Sequence, residues 1–403
     1  MPAGEDREAA ARMLRLLHTA DVHLGARHAD LGDAAATQRE RQFAAFVASV
    51  DLAIKERVDL FLVAGDLFDS NVQPRRSVER VGHELARLVQ ARIRSILVPG
   101  THDVYDRSSI YRAYDLPALA GSKEADPFVT VLTPERPWIH IEALDAVVHG
   151  PCFPTKRAPH SPLRDLATTT VPDATWKIGL LHAAVAIPGR TDGDDVVITP
   201  DEIAASGLDY LALGHWHSAQ TQKSRGVTYA YAGAPEPVAL DQDGAGKVLL
   251  IDLDVKDAKK QVAVEERTVG RTTCERKEID AATVESQAAF VTRLKAARDK
   301  DRVLDLRLIG VRPDELDLDV EEVEAALRGD YLRVRVRDHS HPTLTEGAIP
   351  PAETVAGAFI RDTEARIEAL KASPDTAAAR EAEELLDVLR LGRLLLAGRE
   401  VTL

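Results

Sequence analysis

Five short polar clusters carry the residue types that bind divalent metal ions: Asp21-Val22-His23, Gly65-Asp66, Gly100-Thr101-His102-Asp103, His182, and Gly214-His215-Trp216-His217. Carboxylates and neutral imidazoles suit Mn, Fe, Zn or Co. A two-metal hydrolytic site holds its ions roughly 3.5–4 Å apart. A single carboxylate can bridge them, and Asp66 is the natural candidate. The D-x-H and H-x-H spacings put both side chains on one face of an extended segment. Each pair can then chelate one ion or reach across two. Any one cluster is weak alone: an isolated Asp-x-His is more often a turn or cap, and a lone His more often a satisfied core residue. Two His flanking Trp216 have few structural uses, so that cluster is more specific. The set, in this order, is what points to metal chemistry.

Each cluster directly follows an apolar run. Residues 14–19, 59–64, 95–98, 176–181 and 210–213 read as buried strands. Helical periodicity fills 37–58, with Phe43, Phe46, Val47, Val50 and Ile54 on one face, and again 74–90. The β-α-β-α-β succession implies strands at least partly parallel in a layered α/β domain. Ligands bind such sheets at the carboxyl ends of the strands, so the five clusters should converge. Further short strands at 128–132, 138–144, 146–150, 227–232, 247–253 and 262–269 suggest two packed sheets with helices outside.

A boundary falls near Gly270. Beyond it a helix over 283–300, a strand over 303–309, a helix over 320–327 and a strand over 331–336 make a small α+β domain. From residue 352 only helix signals remain. The expected organisation is a first domain over 12–270, a small domain over 271–341 and a helical tail over 350–403.

With 403 residues and 45% apolar content, the chain can build two or three packed domains. Its 65 acidic against 51 basic residues, net charge −14, argue against a stand-alone DNA-binding module. A nuclease is not excluded, because bound metal ions set its local field. Cys152 and Cys274 form no CxxC pair, which fits a reducing compartment. Residues 1–15 lack the apolar core of a signal peptide, and no run approaches roughly 18 apolar residues. A soluble cytoplasmic protein with no membrane contact is expected.

The order D-x-H, G-D, G-x-H-D, H, G-H-x-H resembles that of the calcineurin-like metallophosphoesterase superfamily. The strings HTADVHLG, AGDLFDS, PGTHDVYDR, LDYLALGHWHS and YAGAPEPVALDQDGAGKVLLIDLD are similar to those of its SbcD-type DNA-repair exonuclease branch. The resemblance covers residues 14–270 in motif and 271–403 in architecture. It implies a four-layer α-β-β-α sandwich, a small capping domain, and a helical tail that docks on an SbcC-like SMC-family ATPase. It also implies a homodimer, with the helix at 37–58 or at 74–90 as the contact.

Position by position, the resemblance implies that Asp21, His23, Asp66 and His217 hold one metal ion. Asp66, Thr101, His182 and His215 would hold the other. The ions would be Mn2+, with Mg2+, Fe2+ or Zn2+ as alternatives. Such a pair would lower the pKa of water and polarise the scissile phosphate. His102 would act as general acid or stabilise the phosphate in the transition state, with Asp69 orienting His102 or the substrate. Asp103 would fix the loop. From the residues themselves, Arg75, Arg76 and Arg107 could touch phosphate, and Tyr105 or Tyr111 could stack on a base. The alternation over 331–337 exposes Arg333, Arg335 and Arg337 on one side.

One departure stands out. The family motif reads G-N-H-D, whereas this chain has Thr101 in place of the Asn. A hydroxyl is a shorter and weaker ligand than an amide carbonyl. Thr101 ligates poorly, or water fills the position, or the second ion binds loosely; weaker occupancy rescued by excess Mn is expected. The functional expectation is a DNA nuclease subunit, 3′→5′ exonuclease with an endonuclease activity open. Its rivals are a small-molecule phosphodiesterase or phosphatase, and a metal-impaired scaffold that binds DNA ends.

Overall fold

Strands β1 (Leu14–Thr19), β2 (Leu60–Ala64) and β3 (Arg94–Val98) are separated by helices α1 (Ala35–Glu56) and α2 (Arg75–Gln90). The computed structural model describes residues 13–191, 193, 195–239, 242, 244–313, 316–342, 350–372 and 376–396. Residues 1–12, the expected domain start at 12 and the tail beyond 396 lie outside it. Two short helices, α3 (Ile110–Ala113) and α4 (Leu116–Leu119), lead to β4 (Val129–Val131). Next come β5 (Trp138–Ile141), β6 (Ala146–His149), α5 (Pro162–Thr168), β7 (Trp176–His182), β8 (Ala184–Val185) and β9 (Val197–Ile198). The series closes with α6 (Pro200–Ala205), β10 (Tyr210–Gly214), β11 (Gln220–Ser224), β12 (Val227–Tyr231), β13 (Lys247–Lys256) and β14 (Lys259–Thr268).

These strands form two six-stranded sheets, β14-β13-β1-β2-β3-β4 and β11-β12-β10-β7-β6-β5. In the first, β1 to β4 run parallel and β13 returns antiparallel to β1. In the second, β12, β10, β7 and β6 are parallel, with β11 and β5 antiparallel at the edges. The period-two alternation of side chains sorts the residues into layers. Leu16, Leu60, Leu62 and Ile96 of the first sheet meet Ile178, Leu180, Tyr210 and Ala212 of the second in one core. The other face of the first sheet, with Leu17, Phe61 and Val63, packs on Phe46 and Val50 of α1 and Val81 and Leu85 of α2. Across the molecule, Leu181, Leu211 and Leu213 pack on Leu163 of α5 and Ile203 of α6. The result is the four-layer α-β-β-α sandwich, in which helices link the parallel strands β1 to β4. Truncating a fully enclosed residue such as Leu62 costs about 2–5 kcal/mol, because the sheets cannot close over the gap.

The chain divides into two compact units, Met1–Cys274 and Glu275–Leu403. The second begins within β15 (Thr273–Asp280) and contains α7 (Gln287–Ala296), β16 (Asp299–Ile309), β17 (Val311–Arg312), α8 (Val320–Ala326), β18 (Tyr331–Asp338) and β19 (His341–Pro342). A three-stranded sheet β15-β16-β18 covers a core of Phe290, Leu304, Leu306, Val323 and Val336. The helix read over 283–300 is shorter than expected. It ends at Ala296, and Asp299 already pairs with Tyr331. Helices α9 (Val355–Lys371) and α10 (Thr376–Leu396) pack together through Ile360, Ile367 and Leu389.

Candidate metal centre

Both sheets deliver their polar clusters from the carboxyl ends of parallel strands: Asp21 and His23 after β1, Asp66 after β2, the Gly100–Asp103 loop after β3, His182 at the end of β7, and His215 and His217 after β10. The backbone is bent to do so. Asp21, His23, Asp66 and His215 have φ of 52°, 48°, 51° and 104°, a region that costs non-glycine residues about 1–3 kcal/mol each. Glycine is required where the strands approach. A Cβ on Gly65, whose φ is +84°, would lie 2.4 Å from His182 Nδ1, and one on Gly100 would lie 2.2 Å from Asp66 Oδ1.

Asp21, His23, Asp66 and His182 are all buried. Asp21 accepts the His215 backbone N–H at 3.0 Å, and Asp66 Oδ1 accepts that of His102 at 2.8 Å. His182 Nδ1 donates to the Ala64 carbonyl at 3.0 Å, which fixes its tautomer and leaves Nε2 for the site. That Nε2 stands 3.2 Å from Asp66 Oδ2 in a geometry that makes no hydrogen bond. His23 Nε2 lies 3.7 Å from the same Asp66 oxygen and 3.2 Å from His217 Nε2. His215 packs its ring edge-on against His182, with centroids 5.4 Å apart.

Three overlapping groups emerge: Asp21, His23 and His217; Asp21, Asp66 and His182; and His23, Asp66 and His102. Within each, one ligand atom per residue lies within 4.8 Å of the others. The donor set fits divalent metal ions. Two buried carboxylates face imidazole nitrogens that do not hydrogen-bond them, an arrangement a shared cation satisfies and side chains alone do not. The electrostatics carry the same demand for positive charge. Burial would lower the His182 pKa, but the charges of Asp66 and Asp21 push it up to about 10. Burial would raise Asp66, yet His182, His23 and His102 hold it far below the carboxylate range. His23 is likewise raised: burial opposes its charge, while Asp69, Asp66 and Asp21 more than offset that.

The remaining expected residues divide. His102 is 47% exposed beside the cluster, its Nδ1 3.1 Å from the Asp69 carbonyl oxygen. Asp69 turns its carboxylate to His23 Nδ1 at 3.2 Å. Thr101 lines a small recess of about 20 Å3 together with His182 and Cys152. Arg75 is committed to an exposed pair with Glu79 at 2.7 Å. Arg107 is exposed in the loop before α3, and Tyr105 lies under the Arg112 guanidinium, 4.1 Å from its ring centre. In the second unit, Arg337 pairs with Asp305 and Arg333 with Glu324, so the basic side of β18 is largely neutralised. Sequence reading missed Gln242, whose Nε2 contacts His217 Nδ1 while its Oε1 accepts the Val238 N–H at 2.8 Å. Nothing in the string DQDG announces that contact. It also missed Arg190, which lies over the Trp216 ring at 5.3 Å.

Residues 14–219, the stretch that carries all five clusters, match the calcineurin-like phosphoesterase family. The chain belongs to that family. The calcineurin-like phosphoesterases bind divalent metal ions, in keeping with the ligand groups above. Relatives include the DNA double-strand break repair protein Mre11 of Aeropyrum pernix, 28% identical over 247 residues, covering 60% of this chain and 58% of that one. Mre11 of Saccharolobus solfataricus is 31% identical over 229 residues, covering 56% and 55%. An SbcCD nuclease subunit of Rhodobacter capsulatus is 28% identical over 279 residues, covering 60% and 66%. The chain thus spans somewhat over half the length of the first two of these phosphoesterase relatives. No helix among the described residues is long and apolar enough to cross a membrane.

Proposed function

We propose that this calcineurin-like phosphoesterase is a metal-dependent DNA nuclease, acting as the hydrolytic subunit of a DNA-repair complex. The observation that carries the reading is the half-exposed His102 next to a cluster of buried Asp21, His23, Asp66 and His182 and part-buried His217 at the strand ends. The printed names of the relatives, Mre11 and the SbcCD nuclease subunit, supply the substrate class. Divalent ions held there, two in number and Mn2+ by preference, would polarise a phosphodiester and lower the pKa of water.

The side chains do the rest. Asp66, which faces both His23 and His182, would be shared between the ions; Asp21, His23 and His217 would hold one, and His182 and His215 the other, with Thr101 at the position of the motif's Asn. Asp69 orients two rings at once, His23 through its carboxylate and His102 through its carbonyl. The carbonyl contact requires a proton on His102 Nδ1, so Nε2 is the nitrogen that faces substrate. With a proton on Nε2, His102 would give it to the leaving 3′ oxygen as the P–O bond breaks, while the attacking water releases a proton to solvent and its oxygen bonds to phosphorus.

The partner reading follows from the tail. Helix α10 keeps Val388, Leu395 and Leu396 exposed, an apolar edge suited to the coiled-coil base of an SbcC-like SMC ATPase. The homodimer through α1 or α2 belongs to the same reading. Incubation of the purified protein with Mn2+ and end-labelled duplex DNA, beside Asp66→Ala and His102→Ala, tests it. Wild-type cleavage with a 3′→5′ ladder, lost in both variants, is expected. Hydrolysis of small phosphodiesters without DNA cleavage would make the protein a small-molecule phosphodiesterase, and DNA binding without hydrolysis a scaffold.

A further inference from the structure

Beside α3 and α4 lies an open groove of about 680 Å3, within the range of small-ligand sites. Its walls include Tyr105, Tyr111, Arg112, Lys123, Thr130 and Arg136. Three of these are cations in a chain whose formal charge is −14; Arg112 pairs with Glu135 at 3.3 Å, which leaves Lys123 and Arg136 for an anion. Two acids also line it, of which Asp115 is occupied as the cap of α4 through the Ala118 N–H, leaving Glu124. Arg112 lies over one face of the Tyr105 ring at 4.1 Å, a cation–aromatic pair, and a nucleobase can stack on the ring's other face. Thr130 is 3% exposed, and its hydroxyl has no hydrogen-bond partner among the described residues. A buried hydroxyl left unpaired is costly unless something else completes it.

The groove adjoins the metal centre. Tyr111, part of its wall, gives its hydroxyl to Asp103 at 2.5 Å, and Asp103 is the residue next to His102. Tyr105 follows three residues after His102 in the same loop.

We propose that this groove holds a nucleotide unit of a single DNA strand, base on Tyr105 and phosphates at Lys123 and Arg136, as that strand passes the metal centre. The proposal rests on the DNA-nuclease reading and names where the strand lies. Aromatic stacking with flanking cations is the chemistry that binds single strands without base readout, so little sequence preference is expected.

The test uses the full chain loaded with Mn2+ and a fluorescent octathymidylate with phosphorothioate linkages, followed by anisotropy. Lys123→Glu, Arg136→Glu and Tyr105→Ala each weaken binding roughly tenfold, and Tyr105→Phe, which keeps the ring, binds like wild type. For Lys123→Gln the slope of log affinity against log salt falls by about 0.7, the value for one phosphate contact on a single strand. The same charge reversal at exposed Lys259, outside the groove, leaves affinity unchanged. Wild-type affinity in all groove variants would overturn the proposal; if wild type still cuts duplex DNA, the nuclease reading survives that failure. Competition by thymidine monophosphate as strong as by the octamer would make the groove a mononucleotide pocket and overturn the strand assignment. Wild-type protein that neither binds the octamer nor cuts DNA would remove both.

Discussion

Tyr111 donates its hydroxyl to Asp103 at 2.5 Å in a largely enclosed contact, and Asp103 also accepts the backbone N–H groups of Gly100 at 2.7 Å and Phe68 at 3.2 Å. One carboxylate thereby ties the His102 loop to the Asp66 loop. Burial and the nearby Asp66 charge raise the Asp103 pKa, and the hydrogen bonds it accepts offset this only in part. Burial, together with the Asp103 charge, raises Tyr111 well above its ordinary value, so the phenol keeps its proton for this bond.

Removing the hydroxyl should loosen both loops. Tyr111→Phe leaves Asp103 one donor short in an enclosed site, a loss of about 1–3 kcal/mol. Urea denaturation of the two proteins measures it, and Mn2+ affinity should weaken in parallel. Equal midpoints would mean that the tie contributes nothing.

Thr101 sets a second expectation. Thr101 lines the recess beside His182, at the position where the resembled motif carries an Asn. Thr101→Asn should tighten the weaker of two Mn2+ affinities by roughly tenfold or more, as ligand-shell changes do. Calorimetric titration reads this directly, without reference to activity. Identical isotherms would remove any asymmetry between the two ions.

The convergence of the five polar clusters was legible in the sequence because each follows an apolar run that reads as a buried strand, and parallel strands share one carboxyl edge. Phe61 and Val63 against Leu60 and Leu62 display the alternation that sorts the layers. Less was legible where polarity hid the pairing. Strand β11, QTQKS, is almost wholly exposed and pairs at the sheet edge with β12, and β15 is similarly polar, so neither carries a period-two signal. Residues 297–300 have helix-forming composition, yet the pairing of Asp299 with Tyr331 ends the helix early. Contacts such as Gln242 with His217 join residues that only the fold brings together. The sequence points Asp69 toward His102 or the substrate; the fold puts its carbonyl on His102 and adds the carboxylate contact with His23, which spacing alone does not show.

Acid stability should expose another buried group. His18 lies between the sheets with Nδ1 2.9 Å from the Tyr210 hydroxyl, and burial lowers its pKa to about 3. Below its unfolded value of roughly 6.5 the unfolded chain takes a proton that the native state refuses. The stability this group contributes is therefore complete above that pH and is lost progressively as pH falls toward 3. At pH 5 the loss is about 2 kcal/mol. His18→Gln should flatten the denaturation profile between pH 6.5 and pH 5 by about that amount. A profile as steep as wild type would place the acid sensitivity elsewhere.

The most direct test of the metal-dependent nuclease reading is stepwise return of Mn2+ to chelator-stripped protein, with bound metal and cleavage of end-labelled duplex DNA followed in the same samples. Cleavage should be absent from the stripped protein and rise with Mn2+ bound toward two ions per chain. In Asp66→Ala, which removes the carboxylate that faces both His23 and His182, it should stay at background, a loss of about 100-fold or more. DNA cleavage by stripped protein, or cleavage by Asp66→Ala at the wild-type rate, would contradict it.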